Sequence, residues 1–301
     1  MMEQIKKIFF AIIVILATAI SIDAVIGFSM NILISHRVGS KSQYCLNEKI
    51  NAEIIFCGSS RASHHYDTKY ITDSLKIRSF NTGLDGKGLT YNYAIINSIL
   101  NNDSNNTIKV IILETLPGEL SGALNSRISE LYPYINNDNN ILDIATKIDK
   151  NNYWLLKLNL YKHNSVLFGE IKNFFHTYDS HNNGFEPLEP RKMIGLSETF
   201  DKTNENIDSV AKYCFVNIIK KCHWKGVKLI VVMSPELYKR NYNEEIIEIC
   251  KQYGIPFIDN RAFRLSIPTD EYYNDNWHMN KIGAREYTKY FMEQIKPIIN
   301  E

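Results

Sequence analysis

Five short apolar runs, with helical stretches between most of them, constrain this chain more than any other feature. AEIIFCG at 52–58 ends in glycine. IRSFNTG at 77–83 is a weaker second run, and TIKVIILET at 107–115 is rich in β-branched residues. VKLIVVMSP at 227–235 closes on proline, and IPFIDN at 255–260 is the shortest. Runs of this length, bounded by glycine or proline and lacking a polar face, fit strands buried on both sides. Strands alternating with helical stretches such as 244–253 predict an α/β fold: a parallel sheet with helices on both faces, in three layers.

The N-terminus is a different material. IFFAIIVILATAISI at 8–22 carries no charge, and the apolar character resumes after Asp23. A helix from 8 to about 27 reaches the roughly 20 residues that cross a bilayer core. Lys6 and Lys7 precede it, as in a signal anchor. A cleaved signal peptide shares this basic start, but the stretch outruns a normal signal core and no clean small-x-small site follows. The expectation is an uncleaved single-pass membrane anchor. Lys6 and Lys7 on one side nearly balance Arg37 and Lys41 on the other. The very short N-terminal tail tips the expected orientation, placing the rest of the chain outside the cytoplasm, in the periplasm or at the cell surface. The expected domains are an anchor and linker at 1–38 and one α/β domain at 39–301. A mostly helical insertion at about 118–202 is too long for a structureless loop.

Composition removes other classes. In 301 residues, 34 Lys+Arg face 33 Asp+Glu, which argues against a nucleic-acid partner. Cys45, Cys57, Cys214, Cys222 and Cys250 form no CxxC pair, so a zinc ribbon, a redox motif and a dense disulfide framework are all unexpected. Three of them fall in predicted strands or helices and read as buried thiols. The Gly83–Lys87 region lacks Walker spacing. His64 and His65 are adjacent without a carboxylate at ligand spacing, so the expectation is no metal and a surface or substrate-facing role. No cofactor is expected. The sequons at Asn102 and Asn105 carry no meaning without a eukaryotic secretory context.

Two short motifs carry chemistry. Gly58-Ser59-Ser60-Arg61-Ala62 lies at the turn from the first strand into a helix, where open α/β sheets place ligands. Either serine alone reads as a helix cap. Asp275-Asn276-Trp277-His278 sets a carboxylate three residues before a histidine, close enough to reach Nδ1 and fix the tautomer. Asn280 is a plausible cap for a last helix carrying Ala284, Tyr287, Phe291 and Ile295 at helical spacing.

Taken together, a serine after the first strand and D-x-x-H before the last helix resemble the SGNH (GDSL-type) hydrolases. The resemblance covers about 52–297 as spaced blocks. It implies a flavodoxin-like, SGNH-hydrolase-like sheet, with Ser60 as nucleophile, His278 as base and Asp275 as its support. Asn81-Thr82-Gly83-Leu84-Asp85-Gly86 is similar to the second block and implies Gly86, or else Gly83, as an oxyanion donor beside the Ser60 N–H. Ser59 replaces the family's aspartate. The third block's G-x-N-D is absent: that place reads Leu113-Glu114-Thr115-Leu116-Pro117, without the asparagine that helps hold the oxyanion. Glu114 is expected to pair with Arg61 or to orient a substrate hydroxyl, so both are possible substrate-binding residues. An α/β-hydrolase elbow fits less well, because in that fold several strands precede the serine.

Membrane-anchored relatives with a GSS first block resemble SGNH-like proteins of cell-envelope modification. That implies a serine esterase or O-acyltransferase acting on acyl, above all acetyl, esters of envelope glycans. The alternative is a non-catalytic SGNH-like binding or assembly protein of an envelope polysaccharide machine, motivated by the missing asparagine. A phosphate-binding flavodoxin-like domain is weaker still, because its glycine-rich loops are too irregular.

Overall fold

All five apolar runs are strands, and all pair in parallel. In the computed structural model, which describes residues 1–36, 38–116, 118–175, 177–192, 206–237, 244–261, 263 and 269–300, they are β1 (Ile54–Cys57), β2 (Ser79–Asn81), β3 (Val110–Glu114), β4 (Lys228–Met233) and β5 (Phe257–Asp259). Their order across the sheet is β2-β1-β3-β4-β5, the flavodoxin-like order of a doubly wound α/β fold. Each strand is shorter than its apolar run, whose outer residues lie in loops and bends.

Both faces are covered. Ile54, Phe56, Val110, Ile112, Ile230 and Val232 form one face, packed with Tyr66, Tyr287, Phe291 and Ile295 in a continuous core. Ile55, Cys57, Ile111, Leu113, Leu229 and Val231 alternate to the other face and are equally buried. At about 1.5–3 kcal/mol per large apolar side chain, this double burial holds the layers together. The last helix, Lys281–Asn300, buries Ala284, Tyr287, Phe291 and Ile295 as its spacing predicts. Asn280 Oδ1 accepts from the Ile282 and Gly283 amides, which makes it the N-cap.

The chain forms two compact units. One holds 41–128 and 179–301, including the sheet. The other joins 1–40 to 129–178. Its first element is the helix Met2–His36, longer at both ends than the 8–27 span read from the apolar run. No proline interrupts it, and Gly27 sits inside it against the Asn159 side chain. This helix is long and apolar enough to cross a membrane. Between 118 and 192 the described residues include the helices Asn139–Ile148, Asn152–Leu155, Asn159–Asn164 and Leu167–Phe174, followed by a non-helical stretch at 177–192. Residues 193–202 of the expected insertion lie outside the described residues, as does Pro117.

All five cysteines are free and buried. Burial pushes the thiols of Cys45, Cys57, Cys222 and Cys250 up to about 12, which makes them inert packing groups.

Candidate active site

The site begins where β1 ends. In the order β2-β1-β3, the chain leaves β1 toward one edge and later returns to its other side, so a crevice opens at the carboxyl ends of β1 and β3. Gly58 makes the exit possible. Its φ is +146°, and a Cβ there would stand 2.8 Å from both the Glu114 carbonyl oxygen and the Ala62 Cβ. Ser59 then takes the N-cap position without a side-chain cap bond, and Ser60 starts the helix Ser60–His65. Neither serine is spent on capping.

Ser60 Oγ lies 2.8 Å from His278 Nε2. His278 Nδ1 lies 3.0 Å from both carboxylate oxygens of Asp275. Asp275 Oδ1 also accepts from the Trp277 and His278 amides, which curls 275–278 into a tight turn. A Tyr273–Met279 bridge and the Asn274 N–H to His278 carbonyl bond close the base of that turn. Partial burial raises the Asp275 carboxyl, but the bonds from His278 and Trp277 outweigh it and hold the group below its ordinary value. It is therefore a carboxylate, able to fix Nδ1–H and leave Nε2 as an acceptor toward Ser60.

The second loop completes the crevice. Asn81 anchors it: its Nδ2 donates to the Ala62 and Tyr66 carbonyls, and its Oδ1 accepts the Gly83 N–H. That bond separates the two glycine candidates. The Gly83 amide is already used, whereas Gly86, at φ +69°, lines the crevice with Ser59, Ser60, Trp277 and His278. The cavity holds about 220 Å³, with Leu116 and Leu124 as apolar wall. Leu116 stands in the stretch where the SGNH resemblance would place an asparagine.

Arg61 and Glu114 sit together. Arg61 Nη2 is 3.0 Å from Glu114 Oε1, and Nη1 is 3.1 Å from Glu236 Oε2. All three side chains are almost completely buried. Arg61 also donates to the Thr115 carbonyl. Burial raises the Glu114 carboxyl, opposed by Arg61 and by bonds from Tyr66 and Ser234. Of the two expectations for Glu114, the structure places it in the pairing with Arg61.

The sequence reading of His64 and His65 as surface or substrate-facing groups is corrected. Both are buried, because the helix Ser60–His65 is covered on more than one side. His65 Nε2 accepts the Met279 amide, and its Nδ1 lies 2.9 Å from Ser234 Oγ, which in turn donates to Glu114 Oε1 at 2.7 Å. Burial and the neighbouring Arg61 push its basicity well down, so it is a neutral strut between the His278 loop and the β4 end. His64 bonds instead to Asp85 and to the Glu186 carbonyl. Ser234, Glu236 and Tyr66 carry no motif, and only their burial beside charge reveals them. Among the described residues no group of three or more His, Cys, Asp or Glu side chains is placed to hold a metal ion.

No protein-family model matches the chain, and no curated protein matches it. Among solved structures that resemble it is a crystal structure from Bacteroides fragilis bearing the name "putative acylhydrolase". It is 11% identical, the superposition covers 84% of this chain and 88% of that one, and the TM-score is 0.37. So distant a likeness carries no weight for the chemistry, which rests on the side chains themselves.

Proposed function

We propose that this chain is an SGNH-type serine esterase or O-acyltransferase. The observation that carries the reading is the unbroken hydrogen-bonded series Ser60 Oγ, His278 Nε2, His278 Nδ1, Asp275 at the wall of an open cavity. Ser60 attacks an ester carbonyl while His278 takes its proton and Asp275 stabilises the imidazolium. The Ser60 and Gly86 amides hold the oxyanion. The tetrahedral adduct collapses, His278 protonates the departing alcohol, and an acyl group stays on Ser60. Water as the second acceptor makes an esterase, and a sugar hydroxyl makes a transferase. The apolar Leu116 and Leu124 suit the acyl part of an ester, and the resemblance to membrane-anchored SGNH-like proteins is what suggests acetyl esters of envelope glycans as the substrate.

The anchor belongs to the same reading. The helix Met2–His36 spans the membrane once, with its two lysines, Lys6 and Lys7, on the cytoplasmic side and the site outside the cytoplasm.

The test is fluorophosphonate labelling of the full chain in detergent. Labelling in the wild type that is lost in both Ser60→Ala and His278→Ala supports an activated serine. A folded wild type that takes no label, while still retaining glycans that Ser60→Ala also retains, overturns the enzyme in favour of the binding protein.

A further inference from the structure

The unit that contains the apolar helix is more than a stalk. Residues 1–22 of that helix are exposed all round, but beyond them Ile26, Gly27, Met30, Leu33 and Ile34 turn inward at helical spacing. They face the helices Asn159–Asn164 and Leu167–Phe174, which pack on Met2–His36. The registration is specific. Asp23 Oδ2 accepts the Asn159 backbone and side-chain N–H groups at 3.0 and 3.1 Å, and Oδ1 accepts the Leu160 amide at 2.8 Å. Gly27 lets the Asn159 side chain approach the helix backbone. Beyond it, the His36 ring packs at a tilt against Phe174 and the Tyr178 amide donates to the Val38 carbonyl.

Depth follows from this registration. With the hydrocarbon core beginning at Ile8, where the uncharged run starts, Asp23 lies about 22 Å along the helix at 1.5 Å per residue, inside a core about 30 Å thick. A carboxylate at that depth is expensive unless it is partnered. Its partners are the amides at 159 and 160, so the segment bearing Leu158 and Leu160 is held at the same level. Among the outward side chains there, Trp154, Leu158, Leu160 and Phe168 are apolar and 68%, 52%, 57% and 83% exposed, with Lys157, Asn164 and Ser165 exposed beside them. Lys157 Nζ lies 4.2 Å from the Trp154 ring centroid and 4.5 Å from that of Tyr153. A lysine extended over two aromatic rings is the chemistry of a membrane–water boundary.

We infer that the segment 152–168 is a second membrane contact. Trp154, Leu158, Leu160 and Phe168 enter the bilayer boundary on the side where the long helix emerges, and Asp23 locks the two elements together. The inference rests on the long helix spanning the membrane, as proposed above. Its occupant is lipid, because Ile22, Val25 and Phe28 of the long helix, which flank the Asp23 docking point in sequence, are exposed as well.

The experiment uses full-length protein in phosphatidylcholine–phosphatidylglycerol vesicles. Every native thiol is buried, so Phe168→Cys, or Leu160→Cys should that variant fold poorly, takes a nitroxide at one place. Collision with oxygen exceeding collision with a water-soluble nickel chelate by several-fold is the expected result. A label reached better by nickel lies in water and overturns the inference, and one reached by neither is covered by protein, such as a second copy, and overturns it too. Extraction with alkaline carbonate separates the two levels. Protein released into solution means that the long helix does not span, and the anchor itself fails. Protein retained in the membrane with its label in water refutes the second contact alone.

Discussion

His278 Nε2 lies 2.8 Å from Ser60 Oγ although 218 positions separate them. Nothing local joins them: Ser60 hangs on the β1 exit and His278 on a turn pinned by His65 and Asn274. The turn stays curled through Asp275, whose oxygens serve both the ring and two amides. Asp275→Asn keeps an oxygen for the amides but presents an amide group or a neutral oxygen to Nδ1. The ring then loses its fixed tautomer and the charge that supports the imidazolium. Ester turnover is expected to fall about 10²–10⁴-fold with little loss of stability. kcat/KM on p-nitrophenyl acetate measures it, and unchanged turnover would remove Asp275 from the mechanism.

Gly58 is a structural requirement beneath that geometry. At φ +146° with the Glu114 carbonyl and the Ala62 Cβ each 2.8 Å from any added Cβ, alanine clashes with backbone and strains its own. Gly58→Ala is expected to lose about 3 kcal/mol or more, by analogy with overpacked cores and strained backbones. Urea unfolding monitored by circular dichroism reads this directly. Near-wild-type stability would mean that β1 and its helix can separate without cost.

Arg61 neutralises two buried carboxylates at once. Arg61→Met keeps the volume of the side chain but takes the buried cation away from Glu114 and Glu236. Breaking a buried pair from one side costs about 3–5 kcal/mol, because the remaining charge has no solvent. Arg61→Met with Glu114→Gln and Glu236→Gln added is expected to recover much of that loss. A triple variant no more stable than Arg61→Met would show that the cost lies in packing rather than charge.

The strands and the two ends of the site were legible because each depends on neighbours in sequence. An apolar run ending in glycine sets both a buried strand and its exit, and three residues suffice for Asp275 to reach His278. The network below the site was not legible. Ser234 reaches Glu114 across 120 positions, and His65 reaches Ser234 across 169. No local pattern marks such partners, since a serine after a strand and a histidine in a helix are unremarkable until the fold closes. The same limit explains the misreading of His64 and His65 as surface or substrate-facing: their six-residue helix is polar in sequence yet has almost no exposed face, because other elements cover it. Asp23 reads as the end of an apolar run, whereas its bonds to residues 159 and 160 make it a docking point.

The His64–Asp85 pair makes the Gly86 loop sensitive to pH. His64 Nδ1 is 2.6 Å from the Glu186 carbonyl, which can only accept, and Nε2 is 3.0 Å from Asp85 Oδ1. Two acceptors around one ring favour the imidazolium. Burial lowers the basicity of His64, but Asp85 and the Glu186 carbonyl outweigh it and hold the value above that of a free histidine. The folded state therefore binds more protons than the unfolded one near neutrality. The stabilisation is complete below the ordinary histidine value of about 6.5 and disappears as pH rises through the raised folded value. Asp85 is itself held below its ordinary value, mainly by His64, so its own titration affects stability only in acid. Lys41 bonds to the Glu186 carboxylate, and the His278 ring stands edge-on to His64 at 5.8 Å. Arg61 and His65 belong to the same short helix, and His65 is neutral. Asp85 is largely solvent-exposed, so the pair contributes at most about 1 kcal/mol, or roughly 2–4 °C in Tm for a domain of this size. Asp85→Asn is expected to melt below wild type by that margin at acid pH near 5.5, with the gap closing at alkaline pH. Because Asp85 adjoins Gly86, the same variant is expected to lose ester turnover at pH 6 by a larger factor than at pH 8.5. A melting gap that stays constant across this range would mean that His64 is neutral in the fold and that Asp85 holds the loop by a hydrogen bond alone.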